Sequence, residues 1–406
     1  LSPFRSAAFR RLWYSTLAAA GAQGLERTAT AWLTIEAGGD AFAIGLTFAA
    51  RMLPSLLFGL AAGTIADRGD RPRQLLAVAG VSLLLMAFFG WLIGTGGIRV
   101  WQVVAFSFAA GCVQVFDTPA RQALVLDIVP REVAPRALAL NALGARIVFA
   151  LGALGAGILI ASWGVGRGYW VAAAGYGIVA ALAATLRVPQ ERQSTGAPPP
   201  FSQALRDAAR LIVDVPGLRL LIISGLVCEV FAFSSNSALP LFAQDVLQAG
   251  AEGLGTLNAA VAIGGAVAVA LLALLPGRQQ WQPLLGLIFL VFGLSILALG
   301  VTRNLAMAAL VLVVMGMCAA AFDVLQQTLI QMAVPDEQRG RAVGIWVLGL
   351  GSAPIGHVEM GLLIGALGAA NALLINGALT VIAAAILLAY APDYRWTLRV
   401  KSKPLA

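Results

Sequence analysis

Charge is scarce in this chain. Of its 406 residues only 11% are Asp, Glu, Lys or Arg, against 60% hydrophobic and a mean hydropathy of +0.87. Soluble domains carry about a quarter charged residues, so too little polar surface exists here to wrap a soluble core, let alone two. Histidine occurs once, as His357, which excludes a histidine-built metal centre. Cysteine occurs three times, at Cys112, Cys228 and Cys318, each inside an apolar run and with no ligand-like spacing. These read as small packing residues rather than a disulfide framework or metal site. No phosphate-binding glycine loop is present, and a single histidine leaves little for acid–base chemistry, so an enzyme is not expected and neither is a cofactor.

What the chain has in abundance is long apolar runs, and a bilayer is the solvent that accepts apolar side chains all round a helix. Twelve runs of spanning length fall near 11–36, 42–66, 73–95, 100–117, 136–162, 168–187, 218–240, 254–275, 283–301, 304–323, 341–363 and 367–391. They are too long and too continuous for barrel strands. Stretches such as "GALGAGILIA" (Gly152–Ala161) are rich in Gly and Ala, which lets helix backbones approach closely where lipid offers no hydrophobic drive to associate. Lys and Arg set the orientation. With the N-terminus cytoplasmic, the inside segments hold 21 basic residues and the opposite loops three, Arg99, Arg167 and Arg303. Both termini are therefore expected in the cytoplasm, with the first helix as its own insertion signal and no cleaved leader. The net charge of +8 is a topology signal, so nucleic acid is not an expected partner.

The runs divide six and six around a Pro-rich segment followed by an amphipathic pattern over 201–215. The expected organisation is an N-terminal bundle at 1–187, a cytoplasmic linker at 188–217 with a surface helix, a C-terminal bundle at 218–392 and a tail at 393–406. The halves resemble each other: Gln122–Gly144 aligned with Gln327–Gly349 gives nine identities in 23 positions, among them Pro130/Pro335, Glu132/Glu337 and Arg136/Arg341. Internal repeats of this kind are a hallmark of secondary transporters.

One hydrophilic stretch stands out against the rest, "GTIADRGDRPR", Gly63–Arg73, between the second and third runs. With twelve spans and the 6+6 repeat, it resembles the loop 2–3 signature of the major facilitator superfamily. Gly63, Asp67, Arg68, Arg71 and Arg73 stand at its glycine, aspartate and basic positions. Asp70 departs from a common glycine and Pro72 from a basic residue. The closest likeness is to the drug-antiporter branch that includes enterobactin and macrolide exporters, carried also by "RQALVLDIVPRE" and "LIQMAVPDEQRGRAVGIW". The resemblance implies a twelve-helix, two-bundle fold and a gating loop in which Asp67 pairs across the halves, with Arg121 and Arg341 as partners. Asp117 and Asp323, matched at an offset of 206, are expected to close helices 4 and 10 and to meet basic groups of the loops. "GARIVFALGALGAG" partly matches the antiporter signature of helix 5, with Gly144, Gly152, Gly155 and Gly157 present and Ala153 where a proline is usual. These glycines are expected to form a close seam between the halves.

An ionisable side chain at bilayer depth costs at least about 2.5–3.5 kcal/mol, so each one needs a reason. Glu26, Glu229 and Glu359 are candidates for proton coupling. For Glu26 the alternative is a static ion pair with Arg27 or Arg146. Arg27 and Arg146 are candidates for the substrate cavity, with Gln23, Asn141, Phe231, Asn236, Asn258 and His357; for His357 hydrogen-bonded packing is the competing reading. The leading expectation is a monomeric inner-membrane exporter of an amphipathic small molecule, driven by the proton gradient. The rivals are a narrow-specificity metabolite or lipid transporter without proton coupling and a membrane sensor or scaffold that does not transport.

Overall fold

A computed structural model describes residues 3–68, 70–130, 132–188, 216–274, 281–333 and 351–390. Its helices are α1 (Ala7–Glu36), α2 (Ala41–Arg68), α3 (Arg71–Gly94), α4 (Val100–Ile128), α5 (Ala134–Trp163) and α6 (Val165–Ala184), followed by six more. The seventh, α7, begins as Pro216–Val227 and runs on through two π-helical turns, Cys228–Ala232 and Phe242–Val246, with a 3₁₀ stretch Phe233–Ala238 between them. Then come α8 (Gly250–Leu274), α9 (Trp281–Val301), α10 (Leu305–Met332), α11 (Ala353–Leu367) and α12 (Ala369–Tyr390). The chain is all-helical among the described residues, and nine segments are long and apolar enough to cross a membrane. The surplus of apolar surface faces outward: Leu274 is 78% exposed, Leu84 67% and Trp101 64%, which only lipid accommodates.

Local chemistry sets the helix ends. Ser6 caps α1 by accepting from the Phe9 N–H at 3.3 Å, and Asp70 caps α3 by accepting from the Arg73 N–H at 3.1 Å, with Pro72 in the first turn where its missing N–H costs nothing. Both departures from the loop signature thus build the start of α3. Helices 4 and 10 correct the expected ends. Asp117 and Asp323 do not close them; both helices run on for two to three further turns, to Ile128 and Met332. In α4 a run of helix formers, "ARQALVLDI", carries the helix to the edge of Pro130, which disfavours helix in the residue before it. The described part of α11 starts at Ala353, while 334–350, the surface helix at 201–215, the tail from 391 and Arg341 lie outside the described residues.

The repeat is visible in the backbone. α5 passes to α6 through Gly164 at φ +81°, and α11 passes to α12 through Gly368 at φ +81°, 204 positions later. Each single residue turns the chain in a left-handed conformation that glycine adopts without strain.

One apolar core is built almost wholly from 218–387 and another from 19–179. The two sets of six helices meet where α5 packs along α8 and α2 along α11. Small residues make both crossings possible. A side chain at Gly255 would run into the Ala153 carbonyl and Gly157, and one at Gly45 into the His357 carbonyl and Gly361. Both crossings lie toward the end of the bundle that carries the loops at 37–40, 247–249 and 368.

Candidate functional site

The densest buried polar cluster sits within the first six helices, where α1 passes α2, α4, α5 and α6. α1 is the least apolar of the long helices because Gln23, Glu26, Arg27, Thr28, Thr30 and Thr34 interrupt it. Its neighbours keep these groups from lipid. An aromatic stack holds the outer wall: Phe89 lies on Phe106 at 4.1 Å, and Tyr169 of α6 meets both edge-on. The Tyr169 hydroxyl then shares a 2.7 Å hydrogen bond with Thr30, whose hydroxyl lies 3.2 Å from Glu26 Oε1.

Glu26 is fully buried, and its Oε1 accepts from Arg51 Nη1 at 2.6 Å. The partner expected for a static pair, Arg27 or Arg146, is thus replaced by Arg51 of α2. Gln114 of α4 accepts from both guanidiniums, from Arg27 Nη2 at 2.9 Å and from Arg51 Nη2 at 3.0 Å. The Arg27 guanidinium also lies 5.7 Å from the Phe149 ring centroid on α5, within cation–π range. Three atoms of this network have no hydrogen-bond partner among the described residues: Glu26 Oε2, Arg27 Nε and Arg51 Nε. Beside it, between α1, α2, α3, α4 and α6, is a cavity with about 20 Å³ of room for water centres, walled by Gln23, Arg51, Ser82, Gln114, Asp117 and Tyr176 among others. That is enough for a water molecule with polar partners.

On the far side of this cavity Arg121 donates from Nε to Asp117 at 2.7 Å and from Nη1 to Ser15 at 3.1 Å. Both groups are buried, so Arg121 is engaged inside its own half, four residues along the same helix from its acid. Arg71 pairs with Asp127 at 2.6 Å, and Arg73 pairs with Asp70 at 3.2 Å at the exposed start of α3. The side chains of Gly63, Asp67 and Arg68, like Arg341, lie outside the described residues.

In the other half the 3₁₀ stretch of α7 presents Ser234, Ser235 and Ser237, all fully buried. Ser237 donates to the Ser234 carbonyl at 2.6 Å, and its oxygen lies 3.3 Å from His357 Nδ1. Because the one hydroxyl proton is spent on the carbonyl, the imidazole is the donor in that contact. His357 also leans on Phe48 across the α2–α11 crossing, with ring centroids 5.4 Å apart. Glu359 accepts from Asn376 at 3.1 Å, while Asn376 Oδ1 is buried without a partner among the described residues. Glu229, in the first π turn, forms no hydrogen bond or ion pair among the described residues, and neither do Asp323 and Arg146. Arg146 reaches from α5 across the seam, so that its guanidinium occupies the space a side chain at Gly265 would take, and it faces Asp323 electrostatically.

Of the other expected groups, Asn258 donates to Thr28 at 3.1 Å and so ties α8 to α1 across the halves. Asn236 bonds locally to the Phe233 carbonyl, and Asn141 Oδ1 is buried with no partner among the described residues. The helix-5 glycines need a correction. Gly157 alone meets the other half, against Ala251 and Glu252; Gly152 packs on Gly21 and Gly144 on Trp13 and Leu17, while Gly155 faces open space. A helix with small residues on several faces serves several neighbours. Sequence reasoning missed Arg51 as the counter-ion and Gln114, Thr30 and Asn376 as members. The last three are polar residues in apolar runs, and that was the available signal.

The profile of transmembrane secretion effectors matches residues 1–397. The chain belongs to that family. It is a major facilitator-type transporter, not an enzyme, and a multi-pass membrane protein. The staphyloferrin A transporter of Staphylococcus aureus is 23% identical over 86% of this chain and 88% of its own length. The macrolide efflux protein A of Streptococcus pyogenes is 21% identical, covering 92% and 93%. The multidrug efflux pump Tap of Mycobacterium tuberculosis is 25% identical, covering 87% and 86%. Among solved structures, the nucleoside transporter NupG superposes with a TM-score of 0.73 at 13% identity over 94% of this chain and 98% of its own. An inward-facing, unoccupied bacterial homologue of the lysosomal transporter Spinster gives 0.70 at 16% identity over 97% and 98%. These likenesses show the fold.

Proposed function

We propose that the chain exports an amphipathic small molecule across the inner membrane in exchange for protons, by alternating access of the two halves. The observation that carries the reading is a pair of carboxylates, Glu229 and Glu359, set at bilayer depth in the second half with no cation partner among the described residues. An acid kept at that depth without a counter-ion has a reason to be there if it takes up and releases a proton. Glu26 differs. Bonded by Arg51, it is the counter-ion that lets that arginine sit in the membrane, and the proton carriers are Glu229 and Glu359.

The close crossings at Gly45/Gly361 and Gly157/Gly255 support a state in which the halves are sealed at one end. The 21-to-three bias of basic residues supports cytoplasmic termini, and with that orientation the sealed end is the outer one. Efflux by the macrolide and multidrug relatives supports the direction. Glu229→Gln and Glu359→Gln, reconstituted in proteoliposomes, are expected to bind substrate yet lose pH-gradient-driven exchange. Full retention of gradient-driven exchange in both variants would take the proton-carrying role from Glu229 and Glu359, and wild-type flux that ignores the pH gradient would favour the uncoupled metabolite or lipid transporter. Absence of any flux in the wild type would favour the sensor.

A further inference from the structure

The charges around α1 do not balance. Arg27 and Arg51 bring two positive charges to a cluster whose one acid is Glu26, and no second carboxylate is within ion-pair reach of either guanidinium among the described residues. Gln114 bridges the two cations with a single neutral oxygen, which accepts hydrogen bonds and cancels no charge. Asp117, which lines the same cavity as Arg51, is already paired with Arg121. A surplus guanidinium at this depth costs several kcal/mol and calls for an anion. The unpartnered atoms agree on its sign, since two of the three are donors, Arg27 Nε and Arg51 Nε. Arg27 is partly open, and the Phe149 ring beside it offers an apolar neighbour for a hydrophobic body.

We propose that Arg27 and Arg51, fixed by Gln114 and Glu26, form an anion-recognition site that holds an acidic group, such as a carboxylate, of the transported molecule. The substrate is then an amphipathic organic acid: the charged group meets the guanidinium edge, and the apolar body lies along Phe149. Glu26 neutralises one arginine and leaves the other for the ligand. This rests on the transporter reading above and narrows its substrate class. Arginine is suited to the task, because its planar fork can give two parallel hydrogen bonds to a carboxylate.

The test is an equilibrium binding measurement on the full chain in nanodiscs, with empty nanodiscs as the partition control. The probes are 1-naphthoate, its methyl ester and 1-naphthylmethylamine. The wild type is expected to bind the acid at least about tenfold more tightly than the ester, the worth of one charge-assisted hydrogen bond. Arg27→Gln is expected to remove that preference without lowering the unfolding temperature, since it takes away a surplus buried charge, and Arg27→Lys to restore part of the preference. Equal affinity for acid and ester, tighter binding of the amine, or no binding by any of the three overturns the site. Stabilisation by sodium chloride equal to that by naphthoate, and lost in Arg27→Gln, assigns the positive charge to an inorganic counter-ion and overturns it too. Binding is read without flux, so the two proposals fail separately. An Arg27-dependent acid preference in a chain that exchanges no protons would refute the coupling alone, and proton exchange without that preference would refute the anion site alone.

Discussion

Glu26→Gln tests the reading of the buried cluster in its energetics. In the native chain Glu26 Oε1 takes a 2.6 Å hydrogen bond from Arg51 and is fully shielded from solvent, while the Arg51 side chain is 11% exposed. Removing the carboxylate charge leaves Arg27 and Arg51 as two uncompensated cations among neutral acceptors. Breaking one side of a buried ion pair costs about 3–5 kcal/mol, because the remaining charge stays buried without a counter-ion. Removing both partners is different: Glu26→Gln with Arg51→Gln takes away the stranded cation and is expected to cost about 1–2 kcal/mol, from lost hydrogen bonds alone. The double variant should therefore be about 2–3 kcal/mol more stable than Glu26→Gln alone. Reversible unfolding in mixed micelles, on wild type, both single variants and the double, measures it. A Glu26→Gln cost below about 1 kcal/mol, or a double variant as unstable as Glu26→Gln alone, would refute the argument that the two charges need each other.

Further expectations follow from other parts of the molecule. Asn258→Ala should weaken the tie between the halves by about 1 kcal/mol, and Thr28→Val should do the same without adding to it, as unfolding of the single and double variants can show. Gly255→Leu places a side chain against the Ala153 carbonyl and Gly157, and should abolish transport while leaving expression intact, with new thiol labelling at positions that the seam now covers. Gly164→Ala and Gly368→Ala each force a side chain into the left-handed region and should each cost about 1 kcal/mol, nearly equally, because the two turns share one geometry.

Much of the fold was readable in residue type alone. The number of helices, their division into sixes and the family follow from run length, basic residues in the loops and the 122–144/327–349 repeat, since bilayer thickness and charge placement act on each segment locally. The ends of α4 and α10 were misread because apolarity was followed and helix propensity was not: "ARQALVLDI" is helical although Arg121, Gln122 and Asp127 break its apolar run. The site was legible as a set of misplaced charges but not as a network. Which cation meets Glu26 depends on how α1 is rotated against α2 and α5, a packing outcome that spacing along one helix does not reveal, so Arg51 rather than its sequence neighbour Arg27 was found there. The glycines of α5 were recognised as close-contact positions, yet the helix each one faces was not encoded in their spacing. The π turns in α7 had no sequence signal strong enough to predict them, although "FAFSSNS" marked the segment as polar and aromatic.

The central claim is that protonation moves the two halves about the α2–α11 and α5–α8 crossings. Spin labels at Phe42 and Leu367, at the same end of α2 and α11, in a background with Cys112, Cys228 and Cys318 replaced by alanine, report that motion directly in nanodiscs. The account predicts a short distance at pH 8, a second and longer one that gains population at pH 5, and loss of that pH response in Glu229→Gln with Glu359→Gln. A single unchanged distance across that range, with and without a transported compound, would contradict it.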